Sequence, residues 1–433
     1  MKVNVIGAGL AGTEAAYYLA NRGVQVTLFD IKPNSFTPAH RSAGFAELVC
    51  SNSLKSADVY GNAAGLLKEE MRCLGSITMQ AAEKTKVPAG GALAVNRDEF
   101  SAFITEKIKN HPNIECVSEE ITEIPTDGFT LIATGPLTTE KLSGALQKIA
   151  GGLFFYDASA PIISAESIDM DYAFFGDRYN KGDGDHINCP MNKTEYDDFY
   201  DALINAERAN LHDFEKTDVF EGCMPVEVMA ARGKDTLRFG PLKPVGLDDP
   251  KTGRWAYATL QLRREDQNGT MYNMVGFQTN LKFGEQKRVF SMIPALKNAE
   301  FLRYGVMHRN TFLNSPDSLD TDFSFKAMPK VFVAGQITGV EGYVESAGTG
   351  LLAAIYLERK LNGKGKVLIS ENTVLGALAK YITTPNKNFQ PMNANFGILP
   401  PVSITGKKDK AERKRLMAER SLAAVKEFIV KIS

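Results

Sequence analysis

The chain has 433 residues, long enough for two or three domains that each bury a core. With 44% hydrophobic and 23% charged residues it reads as a globular protein, and a net charge of −1 excludes a global pull toward nucleic acid or anionic membrane, so such a partner must be met by a local patch. No apolar run reaches the length of a membrane span, and a strand begins at once, so neither a signal peptide nor a membrane partner is expected. Five cysteines, Cys50, Cys73, Cys116, Cys189 and Cys223, are odd in number and scattered. No C-x-x-C and no Cys/His cluster with zinc spacing occurs, so the expectation is a reducing cytoplasm, no metal, and single thiols left for chemistry.

Lys2 to Ile6 reads as a short buried strand running into Gly7-Ala8-Gly9-Leu10-Ala11-Gly12. A helical pattern with Ala15, Ala16 and Leu19 follows and ends near Gly23; residues 24–29 read as a second strand, closed by Asp30. This is a βαβ unit with a G-x-G-x-x-G fingerprint. Gly7 permits the tight turn, Gly9 lets a pyrophosphate approach the backbone, and Gly12 lets the helix pack closely on the strand. The helix N-terminus then offers free N–H groups to phosphates, and Asp30 stands where an acid binds ribose hydroxyls. A dinucleotide site is expected here; the motif alone does not separate FAD from NAD.

Turn formers dominate residues 32–44, which read as a loop close to the cofactor. Beyond it, Cys50 opens the polar run Ser51-Asn52-Ser53. A helix starting there would lower the thiol pKa through its dipole; a small buried hydrophobe is the other reading. Residues 66–73 are expected to be helical and 87–91 a turn. Asn96 then caps a further helix, with Glu99 placed for a capping box, and Phe100, Phe103, Ile104 and Ile108 fall at helical spacing as core. Cys73 in a helix and Cys116 in a strand read as structural. Residues 129–136 form a buried strand ending in Ala133-Thr134-Gly135, the kind that brings a chain back beneath a flavin.

A composition shift follows. Residues 157–221 hold 16 acidic and 5 basic side chains, whereas 225–310 hold 14 basic and 8 acidic, a net +6. The second stretch also alternates like strands at 255–262 and 271–279, with Asn268-Gly269 as a turn signal between them. A second domain inserted at roughly 155–320 is therefore expected. Residues 181–185 read as a solvated turn, too poor in ligands for calcium. Cys223, between Gly222 and Met224-Pro225, lies off regular helix. Arg232, Lys234, Arg238 and Lys243 would favour its thiolate if near in space; a buried loop cysteine is the alternative. Arg254, Arg263, Arg264, Lys282, Lys287 and Arg288 either contact phosphates or form a solvated surface.

The nucleotide-binding pattern resumes at 330–336 and runs through Gly339, Gly342 and Tyr343 into a helix start at 346–353. A strand, then Gly335 and Gln336, then Gly348 and Thr349 on the helix make a second approach to the same nucleotide. Two separated contact regions suit the length of FAD better than NAD alone. A helix near 372–381 and a last helix from about Lys407 complete the chain; the basic start of the latter either helps hold a polyanion or is a solvated face.

Residues 7–12, 45–54, 223–227, 240–246, 306–311 and 342–346 together closely resemble the folate- and FAD-dependent tRNA (uracil-5-)-methyltransferase family, over nearly the whole chain. Residues 334–352 are also similar to the related FAD enzyme that modifies the wobble uridine of tRNA, the runner-up. The fold expected is α/β: a Rossmann-like FAD-binding domain in two parts, 1–154 and 321–433, around an inserted α+β domain at 155–320. The resemblance implies methylation of C5 of a T-loop uridine in the T-arm of tRNA, with methylenetetrahydrofolate as carbon donor and NAD(P)H reducing FAD. Uracil C5 is a poor nucleophile until a thiolate adds to C6, so a nucleophilic thiol, a base and a hydride source must share one site. By resemblance Cys223 is the nucleophile, Cys50 removes the C5 proton, His308 stacks on the folate pterin, and Tyr343 also contacts folate. FAD is then held by Gly7, Ala8, Gly9, Leu10, Ala11, Gly12, Asp30, Gly135, Gly335, Gln336, Gly348 and Thr349. Gln336 departs from the Asp that many flavoproteins carry after Ala-x-Gly. No obligate protein partner is implied. A ribosomal RNA uridine would demand the same chemistry, and a non-catalytic flavin- and RNA-binding protein is the alternative of another class.

Overall fold

The structure, a computed structural model, describes all residues except 1, 38, 151, 181–182, 210–223, 267, 306, 388 and 403–409; at 152–158, 180, 307–309 and 410 it describes the backbone only. The chain opens with the expected unit, β1 (Lys2–Ile6), α1 (Leu10–Asn21) and β2 (Gln25–Asp30). Next come β3 (Ser53–Ser56), α2 (Ala63–Cys73), α3 (Ile77–Lys84), β4 (Lys86–Val87), β5 (Ala92–Val95), α4 (Arg97–Lys109), β6 (Ile114–Ser118), β7 (Phe129–Ile132) and α5 (Glu140–Ala150). Asn96 caps α4 by accepting from the amides of Asp98 and Glu99, and Phe100, Ile104 and Ile108 are buried beneath it.

β8 (Gly152–Ala158) leads into a second group: β9 (Ile162–Ser164), β10 (Phe174–Phe175), β11 (Ile187–Met191), α6 (Lys193–Ile204), α7 (Val226–Ala231), α8 (Thr236–Phe239), β12 (Ala258–Arg264), β13 (Met271–Met274), α9 (Phe283–Phe290) and β14 (Phe301–Arg303). β15 (Met307–Leu313) returns beside β8, antiparallel, from Met307 opposite Ala158 to Leu313 opposite Gly152. The chain ends with α10 (Ser315–Ser318), β16 (Val331–Val333), α11 (Tyr343–Leu361), α12 (Val374–Thr383) and α13 (Lys410–Ile432).

The first sheet is parallel, in the order β16-β7-β1-β2-β6. β1 lies at its centre, so Val3 and Val5 are fully buried, as a strand covered on both faces requires. The second sheet is antiparallel, β10-β11-β12-β13-β9-β14, and has its own core of Tyr196, Phe199, Leu260, Phe277 and Phe290. Its strands β12 and β13 are shorter than the alternation suggested: Trp255 is exposed ahead of β12. Of the turn expected at 181–185, residues 181 and 182 lie outside the described residues, and Asp185 accepts from the Gly90 amide across to the first group (2.8 Å).

Buried acids tie the helices together. Glu14 on α1 accepts from the amides of Ile77 and Thr78 at the start of α3 (both 3.0 Å). Glu70 on α2 accepts from the amides of Val374 and Leu375 at the start of α12 (2.7 and 2.9 Å) and from the Ser421 hydroxyl of α13 (2.5 Å). α11 lies on α1 where Gly350 meets Ala11; a Cβ at 350 would fall 2.6 Å from Ala11 Cα. No helix among the described residues is long and apolar enough to cross a membrane.

Candidate active site

The turn from β1 into α1 is built from Gly7 to Gly12. Gly7 has φ +100° and donates its N–H to the Phe29 carbonyl (2.7 Å), which ties the turn to β2. A Cβ at Gly12 would come 3.0 Å from the Gly7 carbonyl carbon, so the helix start closes directly on the turn. At Gly9 nothing lies within 4 Å of a Cβ. Two glycines thus serve the chain's own packing, while the third faces open space at a helix N-terminus. That is the cradle a dinucleotide pyrophosphate fits. Asp30 accepts from the amides of Ala8 (2.7 Å) and Lys32 (2.9 Å), one on each oxygen, and each oxygen keeps lone-pair capacity for a hydroxyl. A cavity lined by Gly7, Gly9, Asp30, Lys32, His40 and Thr134 opens beside it. Burial holds both Lys32 and His40 below their ordinary pKa values.

The second approach arrives from β16. Gly335 packs on Ala11, where a Cβ would sit 2.9 Å from the alanine methyl, and donates its N–H to the Thr349 hydroxyl (3.0 Å). Gln336 turns its amide to Glu341 (2.6 Å). Gly135 ends the β7 strand region with nothing near its Cβ position. Gly348 and Thr349 face protein instead. A Cβ at 348 would meet Leu375 at 2.8 Å, and the Thr349 hydroxyl is enclosed by Gly335 and its own helix.

Cys50 begins no helix. Residues 47–52 bend into β3, and Ser51 Oγ accepts from the Ser53 amide (3.1 Å), a local bond that competes with helical pairing. The thiol's setting comes from distant segments. Tyr343, the first residue of α11, donates its hydroxyl to Cys50 Sγ (3.0 Å) and accepts from the amides of Cys50 (2.7 Å) and Ser51 (3.2 Å). Burial first, and then the neighbouring Cys50, raise the Tyr343 pKa well above that of a free phenol. The phenol therefore stays protonated, and as a donor to sulfur it favours the thiolate.

Three guanidinium groups hold the same loop. Arg97 of α4 pairs through two nitrogens with Glu265 (2.7 and 3.0 Å) and donates to the Leu48 carbonyl (2.9 Å). Arg303 of β14 donates to the Val49 carbonyl (2.7 Å). Arg263 of β12 donates to Ser51 Oγ (2.7 Å) and Asn52 Oδ1 (3.1 Å), and Asn52 donates on to the Arg264 carbonyl (2.7 Å). Upstream, Ala46, at φ +50°, donates to the Ala8 carbonyl (2.9 Å). The Cys50 loop thus spans from the glycine turn to the second sheet.

Arg263 is buried in this clamp, so it belongs neither to a solvated face nor to a phosphate contact. Its burial had no signal in the sequence, because it falls in phase with Thr259 and Gln261 on β12, opposite the apolar phase of Leu260 and Leu262. Arg97 and Arg303 had no signal either. Cys223 lies outside the described residues, and so does the side chain of His308; the β15 backbone sets His308 opposite Asp157. Downstream of Cys223, the chain is anchored where Val226 donates to the Gln278 carbonyl (2.7 Å) and buried Glu227 accepts from Asn280 N (2.7 Å) and Thr279 Oγ1 (2.9 Å). Two of the cations that follow Cys223 have other partners: Lys234 pairs with Asp197 (2.9 Å), and Arg238 stacks on Tyr257 and pairs with Asp235 (2.6 Å). Cys73 and Cys116 are exposed, and burial pushes the Cys189 thiol far up. Among the described residues no group of three or more His, Cys, Asp or Glu side chains could hold a metal.

Fold and cradle together define a dinucleotide-binding α/β protein with a second sheet clamped over one thiol-bearing loop. Residues 2–365 match the family described as glucose inhibited division protein A. A protein of Acetivibrio thermocellus named methylenetetrahydrofolate--tRNA-(uracil-5-)-methyltransferase TrmFO is 57% identical, over 100% of this chain and 99% of its own. The protein of that name from Staphylococcus aureus is 57% identical over 98% of each. The solved structure of Aquifex aeolicus GidA superposes with a TM-score of 0.69 at 16% identity, covering 99% of this chain and 73% of that one, which shows a shared fold. The chain belongs to the glucose inhibited division protein A family and, within it, to the methylenetetrahydrofolate--tRNA-(uracil-5-)-methyltransferases.

Proposed function

We propose that this chain methylates C5 of a T-arm uridine in tRNA, with methylenetetrahydrofolate as carbon donor, FAD as resident cofactor and NAD(P)H as reductant. The Cys50–Tyr343 pair, set between the glycine turn and three arginines, is the observation that carries the proposal. Residues 7–12, Asp30, Gly135, Gly335 and Gln336 would hold the cofactor, with Gly348 and Thr349 supporting them from behind. When bound, FAD supplies a carrier for the carbon unit and the hydride that completes the methyl group.

The remaining chemistry falls to side chains. A thiolate must add to C6 before C5 can attack an electrophile, and we assign that addition to Cys223. The C5 proton must then leave, and Cys50 is its acceptor: Sγ takes the proton and becomes a thiol, the C–H pair forms a double bond to the transferred carbon as that carbon's bond to its donor breaks, and once hydride has been added to that carbon the C6–S bond breaks and Cys223 departs as thiolate. Tyr343 keeps Sγ in the receptive form, and the arginine clamp fixes the loop that carries it. His308 keeps its assignment to the pterin. With its hydroxyl engaged by Cys50, Tyr343 has only its ring left for folate. The division into 1–154, 155–320 and 321–433 belongs to the same proposal and is supported by the separate core of the second sheet. A cytoplasmic location follows from the substrate.

Labelled methylenetetrahydrofolate, NAD(P)H and separate tRNA and rRNA transcripts test the reading. Label is expected at C5 of a T-arm uridine. Label confined to rRNA would move the substrate, and label in neither would remove the activity. Cys223→Ala is expected to abolish transfer with flavin still bound; retained transfer removes Cys223 as nucleophile.

A further inference from the structure

The second sheet carries a stack of aromatic rings with one bare face. Phe301 and Tyr304 lie with ring centres 5.4 Å apart and planes within 6°; Tyr304 and Phe283 follow at 4.9 Å and 14°. Fully buried Phe290 closes the inner end, 6.5 Å from Phe301. Phe283 forms the outer end and is 54% exposed. Among the described residues it is not packed into the core of the second sheet.

The stack is built to stay in place. Buried Gln286 of α9 accepts from the Gly305 amide (2.8 Å) and donates to the carbonyls of Gly305 (2.8 Å) and Leu281 (2.7 Å). Position 305 admits only glycine, because a Cβ would lie 2.5 Å from the Ser159 carbonyl oxygen and 2.7 Å from Thr279 Cγ2. The two segments that carry the rings are therefore fixed before any ligand arrives, so little ordering cost remains for binding.

The stack also connects to the thiol. Arg303, between Phe301 and Tyr304 in sequence, holds the carbonyl of Val49, the residue before Cys50. Lys282, just before Phe283, is exposed and paired to Glu207; on α9, Lys287 is exposed, and Arg288 is exposed and paired to Glu285. Rings that meet bases beside cations that meet phosphates are how unpaired nucleic acid is held.

We infer that Phe283 is the outer plate of a platform on which an unpaired base of the RNA substrate stacks, close to the loop that presents Cys50. This rests on the RNA-methylation reading and adds where the RNA is gripped. A second copy of the chain is the competing occupant of an exposed apolar ring; the excess of cations over acids beside it, three to two, and the link to Cys50 favour RNA.

The test uses full-length flavin-loaded protein and a T-arm hairpin transcript, with Phe283→Ala and Phe283→Trp. Wild type is expected to bind the hairpin in fluorescence anisotropy, and F283A to bind about tenfold more weakly, the loss of one base–aromatic stack. F283W is expected to bind like wild type, with its added indole fluorescence quenched by RNA. Thermal melts report whether each variant is folded. Equal affinity of folded F283A and wild type overturns the inference. So does a change in sedimentation without a change in affinity, which would assign the face to self-association. If wild type itself binds no hairpin, the methylation reading fails, and that result needs no variant.

Discussion

The Tyr343 hydroxyl donates to the sulfur of Cys50 at 3.0 Å, across 293 positions of sequence. The same oxygen accepts from the amides of Cys50 and Ser51, so its one proton and both lone pairs are used. One hydroxyl therefore both anchors the loop and donates to its thiol.

Tyr343→Phe keeps the ring and removes all three bonds. Two part-buried amides lose their acceptor, at a cost of roughly 1–3 kcal/mol each. Sulfur loses its donor, so the thiolate becomes harder to form. The pH profile of Cys50 alkylation, followed by mass spectrometry of the Cys50 peptide, is expected to move to higher pH, and methyl transfer to slow. A profile that stays in place would show that the phenol does not tune the thiol.

Arg97 makes a second prediction. Its fork fills both oxygens of Glu265, whose side chain is 3% exposed, and one nitrogen remains for the Leu48 carbonyl. Arg97→Met strands a buried carboxylate and is expected to destabilise the fold by about 3–5 kcal/mol. Arg97→Lys keeps a charge without the fork and falls between. Arg97→Met with Glu265→Met removes both charges and should melt close to wild type. Methyl transfer should stay low in the double variant, because the loop before Cys50 has lost its anchor. Full activity there would mean that the clamp only stabilises.

How much of this was legible differs from place to place. The βαβ unit stood out because its signals are local: strand, three glycines, helix and Asp30 fall within thirty residues. Asn96 and the buried face of α4 were equally plain. Of the two readings left open at Cys50, the helix start does not form, because Ser51 and Asn52 bind elsewhere through their side chains, and the electropositive setting comes from arginines instead of a helix end. Tyr343, Arg97, Arg263 and Arg303 lie 47 to 293 positions from Cys50, and no spacing rule links residues so far apart. Gly348 and Thr349 were expected to approach the nucleotide from a helix start, yet the rotation of α11 turns them toward Leu375 and Gly335.

Gly9 and Gly350 separate cofactor binding from packing. A methyl at Gly9 enters open space, and the backbone there (φ −75°) suits alanine. Gly9→Ala should melt like wild-type apoprotein but bind FAD about tenfold or more weakly, since the pyrophosphate loses its approach. Gly350→Ala drives a methyl into Ala11 of α1 and should lower the apoprotein melting temperature, with an overpacking cost of roughly 1–3 kcal/mol. Apoprotein calorimetry and flavin titration read the two effects apart. A Gly9→Ala variant with normal flavin affinity would place the dinucleotide elsewhere.

Glu70 gives a pH signature. Burial raises its pKa to about 7, and the bonds from Ser421, Leu375 and Val374 only partly offset this. A raised carboxyl pKa means that the folded chain keeps a proton the unfolded chain has released. Stability from this group is therefore full below the unfolded value near 4.5 and is lost as pH rises through about 7, by roughly 3 kcal/mol in all. Glu70→Gln is neutral at every pH and lacks this slope. The stability of wild type relative to the variant should fall from pH 4.5 to 7.5, and taking that difference cancels the slopes of Glu14 and Glu227. Lys68, whose pKa burial lowers to about 7, acts in the opposite sense and above this window, so it does not mimic the effect. Denaturant titrations at four or five pH values measure the difference. Parallel curves for the two proteins would mean that the carboxylate joining α2, α12 and α13 is charged throughout, with its three donors outweighing its burial.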